Sequence, residues 1–470
     1  MSTTDIIAAI ATPPGEGGVG IVRISGSNDS GEQGRTVWKI ADEIFQTLPA
    51  LSGAEGVKPS AKEGGTFVFG KIIDAAGKEI DEGLCLIFRS PKSYTGEDTI
   101  EIQGHGGSVV LRKILRRALE AGARMAEPGE FTKRAFLNGK MDLVQAEAVA
   151  DLIHARSDRA AAAALEQLEG SLSGQFNALY DQFVDIAADL ETTLDFAEEE
   201  LPDEVFPMLG KKLGESFQCL ENLLSTWDEG RLLREGARVV IMGRPNAGKS
   251  TLFNALLGTD RAIVTEFAGT TRDVIEEGLV LDGIPLRIID TAGLREAECE
   301  IEREGIRRAR EHSAAADIAV YVIDSSVPLS TEDAEHLSKL KPEQTVVVLN
   351  KSDIRLSSFI FHHSSFISVD VSLGLGDGLA EIRSAISKKL GGVSSAPAHA
   401  VISERHRNLL ELSRSELIRA REQLTGLEDE GVVLAAEHLR SALESLGQVT
   451  GRIYHDELLD NVFSRFCIGK

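Results

Sequence analysis

The chain is 470 residues long, too long for one hydrophobic core, and length alone puts about three domains in it. Its formal net charge is -24, from 74 acidic and 50 basic residues, so as a whole it repels bare nucleic acid. Four cysteines (Cys85, Cys219, Cys299, Cys467) lie far apart with no C-x-x-C pair, which argues against a disulfide framework or a zinc site and fits a reducing compartment.

Any nucleic-acid contact therefore needs a local basic patch or a partner. The N-terminus, MSTTDIIAAIATPPGEGG, has no basic leader, and no apolar run reaches membrane-spanning length. The expectation is a cytoplasmic protein with no membrane partner.

Residues 5–11 (DIIAAIA) and 19–25 (VGIVRIS) read as short strands around the turn-rich TPPGEGG. That glycine cluster precedes a strand and not a helix, so a dinucleotide loop fails its context test. Residues 27–64 yield little beyond a helix between loops. Strands follow at Thr66–Ile73 and Gly83–Arg89, joined by the turn DAAGKE, and Thr99–Gln103 alternates as a third until GHGG breaks it. Ser108–Ala121 then reads as an amphipathic helix carrying Arg112, Lys113, Arg116 and Arg117. This first domain, residues 1–139, is α+β.

From Met141 the period changes. Leu165, Leu168, Leu172, Phe176, Leu179, Phe183, Ile186, Leu190 and Leu194 recur at three- and four-residue steps, an apolar seam on long helices. Pro202 and Pro207 interrupt it, and a further helix runs to about Arg234. Helical periodicity resumes at Ser403 after the linker-like GGVSSAPAHA. The expected architecture is a discontinuous all-α domain, residues 140–235 and 398–470, with an α/β domain, residues 236–397, inserted in it.

The inserted segment holds the strongest signal. VVIMGRPNAGKSTL, residues 239–252, is a strand, then Gly243-Arg244-Pro245-Asn246-Ala247-Gly248-Lys249-Ser250, then a helix. This is the P-loop pattern in its proper context. Gly243 and Gly248 let backbone N–H groups curl around phosphates at a positive helix end. Lys249 supplies a charge for the β- and γ-phosphates, Ser250 a hydroxyl for magnesium, and Asn246, Ala247 and Thr251 complete the wrap.

Three further stretches follow in the order of a Ras-like GTPase. Thr271 in GTTRD can complete the magnesium shell, and Asp290-Thr291-Ala292-Gly293 ends a strand with Gly293 N–H at the γ-phosphate. Asn350-Lys351-Ser352-Asp353 ends another, and the Asp353 carboxylate can accept from both N1–H and the 2-amino group of guanine. Adenine lacks that pair of donors. The residue after DTAG is Leu294, which cannot orient water as glutamine does. Glu296, Glu298, Glu300, Glu302 and Glu304 are acidic candidates for that task, and residue type does not choose among them.

GRPNAGKSTLFNALLG, IVTEFAGTTRD, DTAGLRE and the terminal FCIGK, together with ATPPGEGGVGIVRISG, YTGEDTIEIQGHGG and PGEFTKRAFLNGKMDLVQAEAVADLI, resemble the tRNA-modifying GTPases of the MnmE/TrmE family. The resemblance covers nearly the whole chain. It implies a tetrahydrofolate-binding N-terminal domain, a discontinuous helical domain and an inserted P-loop GTPase domain, in a homodimer. It also implies potassium held by Asn246, Thr265, Phe267 and Thr270, the last three and Thr271 in a loop beside GTP. Glu302 matches the residue that orients the hydrolytic water. Ser372-Leu373-Gly374 stands where the family's S-A-K/R backs the guanine, the contact there being a backbone N–H.

For the N-terminal domain the resemblance implies folate contacts by Arg23, Glu101 and Lys140, with Lys470 and Cys467 of the tail reaching the same site. The implied cofactors are magnesium, potassium and a tetrahydrofolate derivative in its 5-formyl or 5,10-methylene form. The implied reaction adds an aminomethyl or carboxymethylaminomethyl group to C5 of the wobble uridine of certain tRNAs. A flavoprotein of the MnmG/GidA type would complete a heterotetramer. The rival expectation is a regulatory or assembly GTPase that binds RNA or ribosomes; the N-terminal motifs and CIGK argue against it.

Overall fold

The computed structural model describes residues 5–27, 35–48, 56–195, 205–259, 276–290, 316–361, 365–391, 401–424 and 429–470. Among these the strands are β1 (Ile7–Ile10), β2 (Gly17–Gly26), β3 (Phe45–Thr47), β4 (Thr66–Ile73), β5 (Glu79–Phe88), β6 (Asp98–Gly106) and β7 (Arg124–Met125). The later strands are β8 (Ala237–Met242), β9 (Glu276–Leu281), β10 (Ile284–Asp290), β11 (Ile318–Asp324), β12 (Thr345–Asn350) and β13 (Ile367–Asp370). The helices are α1 (Val37–Ile44), α2 (Ser108–Glu120), α3 (Glu130–Leu137), α4 (Leu143–His154), α5 (Asp158–Leu168), α6 (Ser171–Asp195) and α7 (Val205–Ser225). They continue as α8 (Trp227–Glu235), α9 (Lys249–Thr259), α10 (Thr331–Ser338), α11 (Leu379–Lys389), α12 (Glu404–Leu424), α13 (Asp429–Thr450) and α14 (Asp456–Phe463).

The chain divides into two compact units, Met1–Ala150 with Ser173–Leu201 and Glu416–Lys470, and Asp151–Leu172 with Pro202–Ser415. In the first, a seven-stranded sheet runs in the order β3-β4-β5-β6-β2-β1-β7. Its pairs are antiparallel except the parallel β1–β7 edge. Alternation puts Val22, Ile24, Cys85, Ile87, Ile100 and Ile102 on one face, where α1 and α2 cover them. The other face carries a cross-strand row, Phe67–Leu86–Glu101–Arg23–Ala9, fixed by the register of five strands. α6 is tied to α13 by Arg440–Glu191 (3.5 Å) and to the residues just after α13 by Arg452–Asp181 (3.0 Å).

The second unit holds a six-stranded sheet in the order β13-β12-β11-β8-β10-β9, parallel except for the β9–β10 hairpin. Leu252, Leu256, Ile382 and Ile386 of α9 and α11 pack on one face, and Leu337 of α10 on the other. Both faces are covered, so the strands read as unbroken apolar runs such as VVVL and AVYV. β8 lies between β10 and β11, so the loop after it opens at the point where strand order reverses, the crevice in which such sheets bind ligands. No helix among the described residues is long and apolar enough to cross a membrane.

Three expectations are corrected. GHGG does not break the third strand: β6 runs on to Gly106, which pairs with Gly17 so closely that a Cβ would overlap the Gly17 carbonyl. Leu165 is 47% exposed, and α5 buries Ala160, Ala163, Ala164 and Gln167 instead. Gly170, with φ +95°, ends the stretch between α5 and α6, and the buried seam residues begin at Leu172. The stretch 205–235 is two helices, and Pro207 sits in the first turn of α7, where its missing N–H costs no bond.

Candidate functional site

In the second unit the phosphate cradle is shaped by three left-handed or glycine-only residues. Gly243 has φ +137° and Gly248 +108°, and a Cβ on either would overlap the Val322 carbonyl or the Asn350 amide. Asn246, exposed at the loop apex, has φ +61°, a conformation asparagine tolerates better than most residues. Lys249 is buried at the start of α9, its Nζ donating to the Arg244 carbonyl at 2.7 Å across the curl of the loop. Ser250 and Thr251 follow, exposed, at the positive end of the helix.

Asn350 ties this loop to the base side. It is 3% exposed; its Nδ2 donates to the Ala247 carbonyl at 2.8 Å and its Oδ1 accepts from Leu373 N–H at 3.1 Å. One side chain thus sets the spacing between the P-loop and the 372–374 loop. Asp353 is exposed, with one carboxylate oxygen accepting from Ser372 Oγ at 2.5 Å. That bond leaves the outer oxygen edge free to face a base. Lys351, at φ +60°, reaches Asp324 at 2.5 Å. Burial pushes the Asp324 carboxyl up, but the Lys351 ammonium and the Ser326 donors outweigh it and hold it below its usual value.

The first unit holds a second cluster, built where the chain ends. Arg23 Nε donates to Glu101 Oε1 at 2.8 Å, both side chains being about 15% exposed (14% and 15%). The guanidinium lies 5.4 Å from the Tyr94 ring centroid and 5.6 Å from that of Phe131. The tail docks beside it. Ile468 bridges to Pro128, Gly129 N–H donates to the Cys467 carbonyl at 3.4 Å, and the Gly469 carbonyl is 3.5 Å from Arg23 Nη1. Gly469, φ +99°, passes so close to Ile10 that a Cβ would overlap its carbonyl. Behind it, Phe463 and Phe466 pack with Phe136 and Leu143 and anchor the tail.

The last residue completes the cluster. Lys470 is half-buried, and burial together with the Arg23 charge pushes its ammonium below the ordinary lysine value, Glu101 partly offsetting both. Lys140 stands against the wall that carries Tyr94, its Nζ donating to the Pro91 carbonyl at 3.0 Å. Beneath lies a buried ionic network: Arg134 meets Glu97 at 3.2 Å, Glu130 at 3.0 Å and Asp5 at 2.7 Å. Burial raises the Glu130 carboxyl, yet Arg124, the Glu127 N–H and Arg134 bring it down to about 2. The network locks α3, and with it Phe131, against the 94–97 loop. The result is a partly buried recess with a carboxylate, two cations and two aromatic rings.

A model described as "GTP-binding protein TrmE N-terminus" matches residues 6–140, and one described as "MnmE helical domain" matches residues 143–467. The chain is 43% identical to the tRNA modification GTPase MnmE of Geotalea uraniireducens over 100% of both. It is 40% identical to that of Aquifex aeolicus and 43% to that of Laribacter hongkongensis, each over 99% of both chains. The chain belongs to the MnmE family.

For this MnmE-family chain the structure gathers Asn246, Ala247, Gly248, Lys249, Ser250 and Thr251 with Asn350, Lys351, Asp353, Ser372, Leu373 and Gly374 around one crevice edge. It gathers Arg23, Glu101, Lys470 and Gly469 around another, with Lys140 on the adjoining wall; Cys467 is exposed on the tail. Asp290 ends β10. Thr265, Phe267, Thr270, Thr271, Thr291, Ala292, Gly293 and Glu302 lie outside the described residues. The Leu373 N–H, expected to meet the guanine oxygen, is engaged by Asn350 here. Tyr94, Phe131 and Asp324 were not singled out from sequence. Tyr94 and Phe131 lie inside the motifs YTGED and PGEF, but nothing local tells that both rings face Arg23.

Proposed function

We propose that this GTPase of tRNA modification carries a one-carbon site at the Arg23–Glu101–Lys470 recess and adds an aminomethyl or carboxymethylaminomethyl group to C5 of a wobble uridine. The observation that carries the reading is the docking of the chain terminus against the Arg23–Glu101 pair. The recess fits a tetrahydrofolate derivative, 5-formyl or 5,10-methylene, whose chemistry when bound is donation of a one-carbon unit. Glu101 can accept a pair of pterin donors, and Lys470 and Lys140 suit the anionic tail. In this reading Cys467, which is exposed on the tail, takes part in the transfer. A flavoprotein of the MnmG/GidA type supplies the redox chemistry in this reading. Homodimerisation through residues 1–139 is supported by the open sheet face, where Phe67 and Phe69 are 65% and 49% exposed beside the recess.

Titrating the full chain with 5-formyltetrahydrofolate tests this. Binding is expected, with a loss of about ten- to a hundredfold for Glu101→Gln, the size of a charged hydrogen bond. Protonated Lys470 is the form that holds an anion, and its pKa lies below 10.5, so affinity falls as pH rises through that depressed value. Lys470→Arg removes the alkaline loss. Failure to bind folate with GTP binding intact would return the chain to the RNA- or ribosome-binding class.

On the nucleotide side, the proposal gives Lys249 to the β- and γ-phosphates, and Ser250 and Thr271 to magnesium. Asn246, Thr265, Phe267 and Thr270 are assigned to potassium, which supplies charge neutralisation when bound. Glu302 orients the attacking water. Single-turnover hydrolysis should slow strongly when sodium replaces potassium. Glu302→Ala should lower the rate by about a hundredfold or more while GTP affinity holds. Equal rates in the two salts, or a near-wild-type Glu302→Ala, would remove the respective assignment.

A further inference from the structure

We infer that the outward face of α2 is a docking surface for the phosphate backbone of tRNA, an inference that rests on the reading of tRNA as substrate. α2 buries Leu111, Ile114, Leu115 and Ala118 against the sheet. Helical periodicity then turns Val109, Arg112, Lys113 and Arg116 outward along a single stripe. The helix carries four basic residues, Arg112, Lys113, Arg116 and Arg117, against Glu120 alone, in a chain whose net charge is -24.

The heads of these side chains are available. Arg112 and Lys113 are exposed, with no hydrogen bond or ion pair among the described residues. Arg116 is 71% exposed and meets Glu120 only at 3.7 Å, a surface pair worth little in water. Arg117 turns inward, donating to the Glu43 carbonyl at 3.2 Å, and Glu43 itself is engaged by Arg35. Glu43 is thus occupied, and on this helix the three exposed cations Arg112, Lys113 and Arg116 stand against Glu120 alone, a net positive patch.

Charge complementarity selects the occupant. An acidic protein that must hold a polyanion can do so only where cations are concentrated and uncancelled, and Arg112, Lys113 and Arg116 meet that condition within roughly 6 Å of helix axis. The location is also compatible with the rest of the unit. α2 covers the face of the sheet opposite the one that carries Arg23, Glu101, Phe67 and Phe69. RNA on α2 therefore leaves the recess and the exposed aromatic face open.

The test is tRNA binding by the full chain and by its Arg112→Glu/Lys113→Glu/Arg116→Glu variant over a salt series. Each lost phosphate contact lowers the log–log salt slope by about 0.7–0.9, so the variant should lose about two units of slope and at least about tenfold in affinity at low salt. Arg112→Lys/Arg116→Lys, which keeps the charge, should bind like the wild type. Unchanged folate and GTP affinities in the glutamate variant would show that it is folded. A glutamate variant that binds tRNA with wild-type affinity and slope overturns the α2 surface alone. A wild-type chain that binds no tRNA by itself also overturns this inference, whereas the substrate reading falls only if no tRNA is bound in the presence of the flavoprotein partner either.

Discussion

Asp353→Asn is expected to weaken GTP binding by about a hundred- to ten-thousandfold and to let xanthosine triphosphate bind in its place. On the reading that Asp353 accepts from N1–H and the 2-amino group of guanine, two charge-assisted hydrogen bonds are at stake, each worth about 1.5–3 kcal/mol. Asparagine keeps one acceptor, for N1–H, but sets an NH₂ donor against the guanine 2-amino group. Xanthine carries a carbonyl at that carbon, which the NH₂ can satisfy. The geometry makes the exchange clean, because Ser372 Oγ already fixes one oxygen of Asp353 at 2.5 Å and would fix the amide oxygen in the same way. Ser372 is itself held in a tight turn by reciprocal backbone bonds with Asp377, at 3.2 and 3.1 Å. Nucleotide titrations with both triphosphates decide the matter, with folate binding in the other unit as a control of folding. Retention of GTP affinity within a few fold would mean that Asp353 does not read the base.

The nucleotide site was legible because its chemistry is contiguous: Gly243 through Thr251 sit side by side, and only one backbone path suits those glycines. Its internal bracing was not. Asn350 is 103 residues from Ala247 and 23 from Leu373, so its side chain reads from sequence as part of a base motif, while the fold makes it a strut. The recess at the terminus is less local still, with Gly469 446 positions beyond Arg23. Family resemblance named its residues; neither period nor spacing could have paired them. The seam at Leu165 misled because large apolar residues dominate a periodicity count. α5 instead packs through alanines, whose small side chains carry little of that signal. GHGG misled for a related reason. Glycine usually marks a strand's end, but at Gly106 it permits the close pairing with Gly17 that lengthens β6.

Asn350→Ala and Gly248→Ala should each weaken GTP binding by about thirty- to a thousandfold, and the double substitution should be little worse than the worse single one. Asn350→Ala leaves the Ala247 carbonyl and the Leu373 N–H without their shared partner in a dry site, at about 1–3 kcal/mol for each group. Gly248→Ala reaches the same end from the other side. Its Cβ would overlap Asn350 Nδ2 and drive that side chain from the loop, and its φ of +108° adds strain of about 1–3 kcal/mol. Once Asn350 is gone the overlap disappears, so only the strain remains to be added. Contacting residues that share one interaction give such a shortfall, of about 0.5–3 kcal/mol in a double-mutant cycle. The cycle is best read in GTP affinity, because a chain of several domains does not unfold as one two-state unit. Costs that simply multiply would show that Gly248 and Asn350 act independently, and the P-loop would then owe its spacing from the 372–374 loop to something other than this amide.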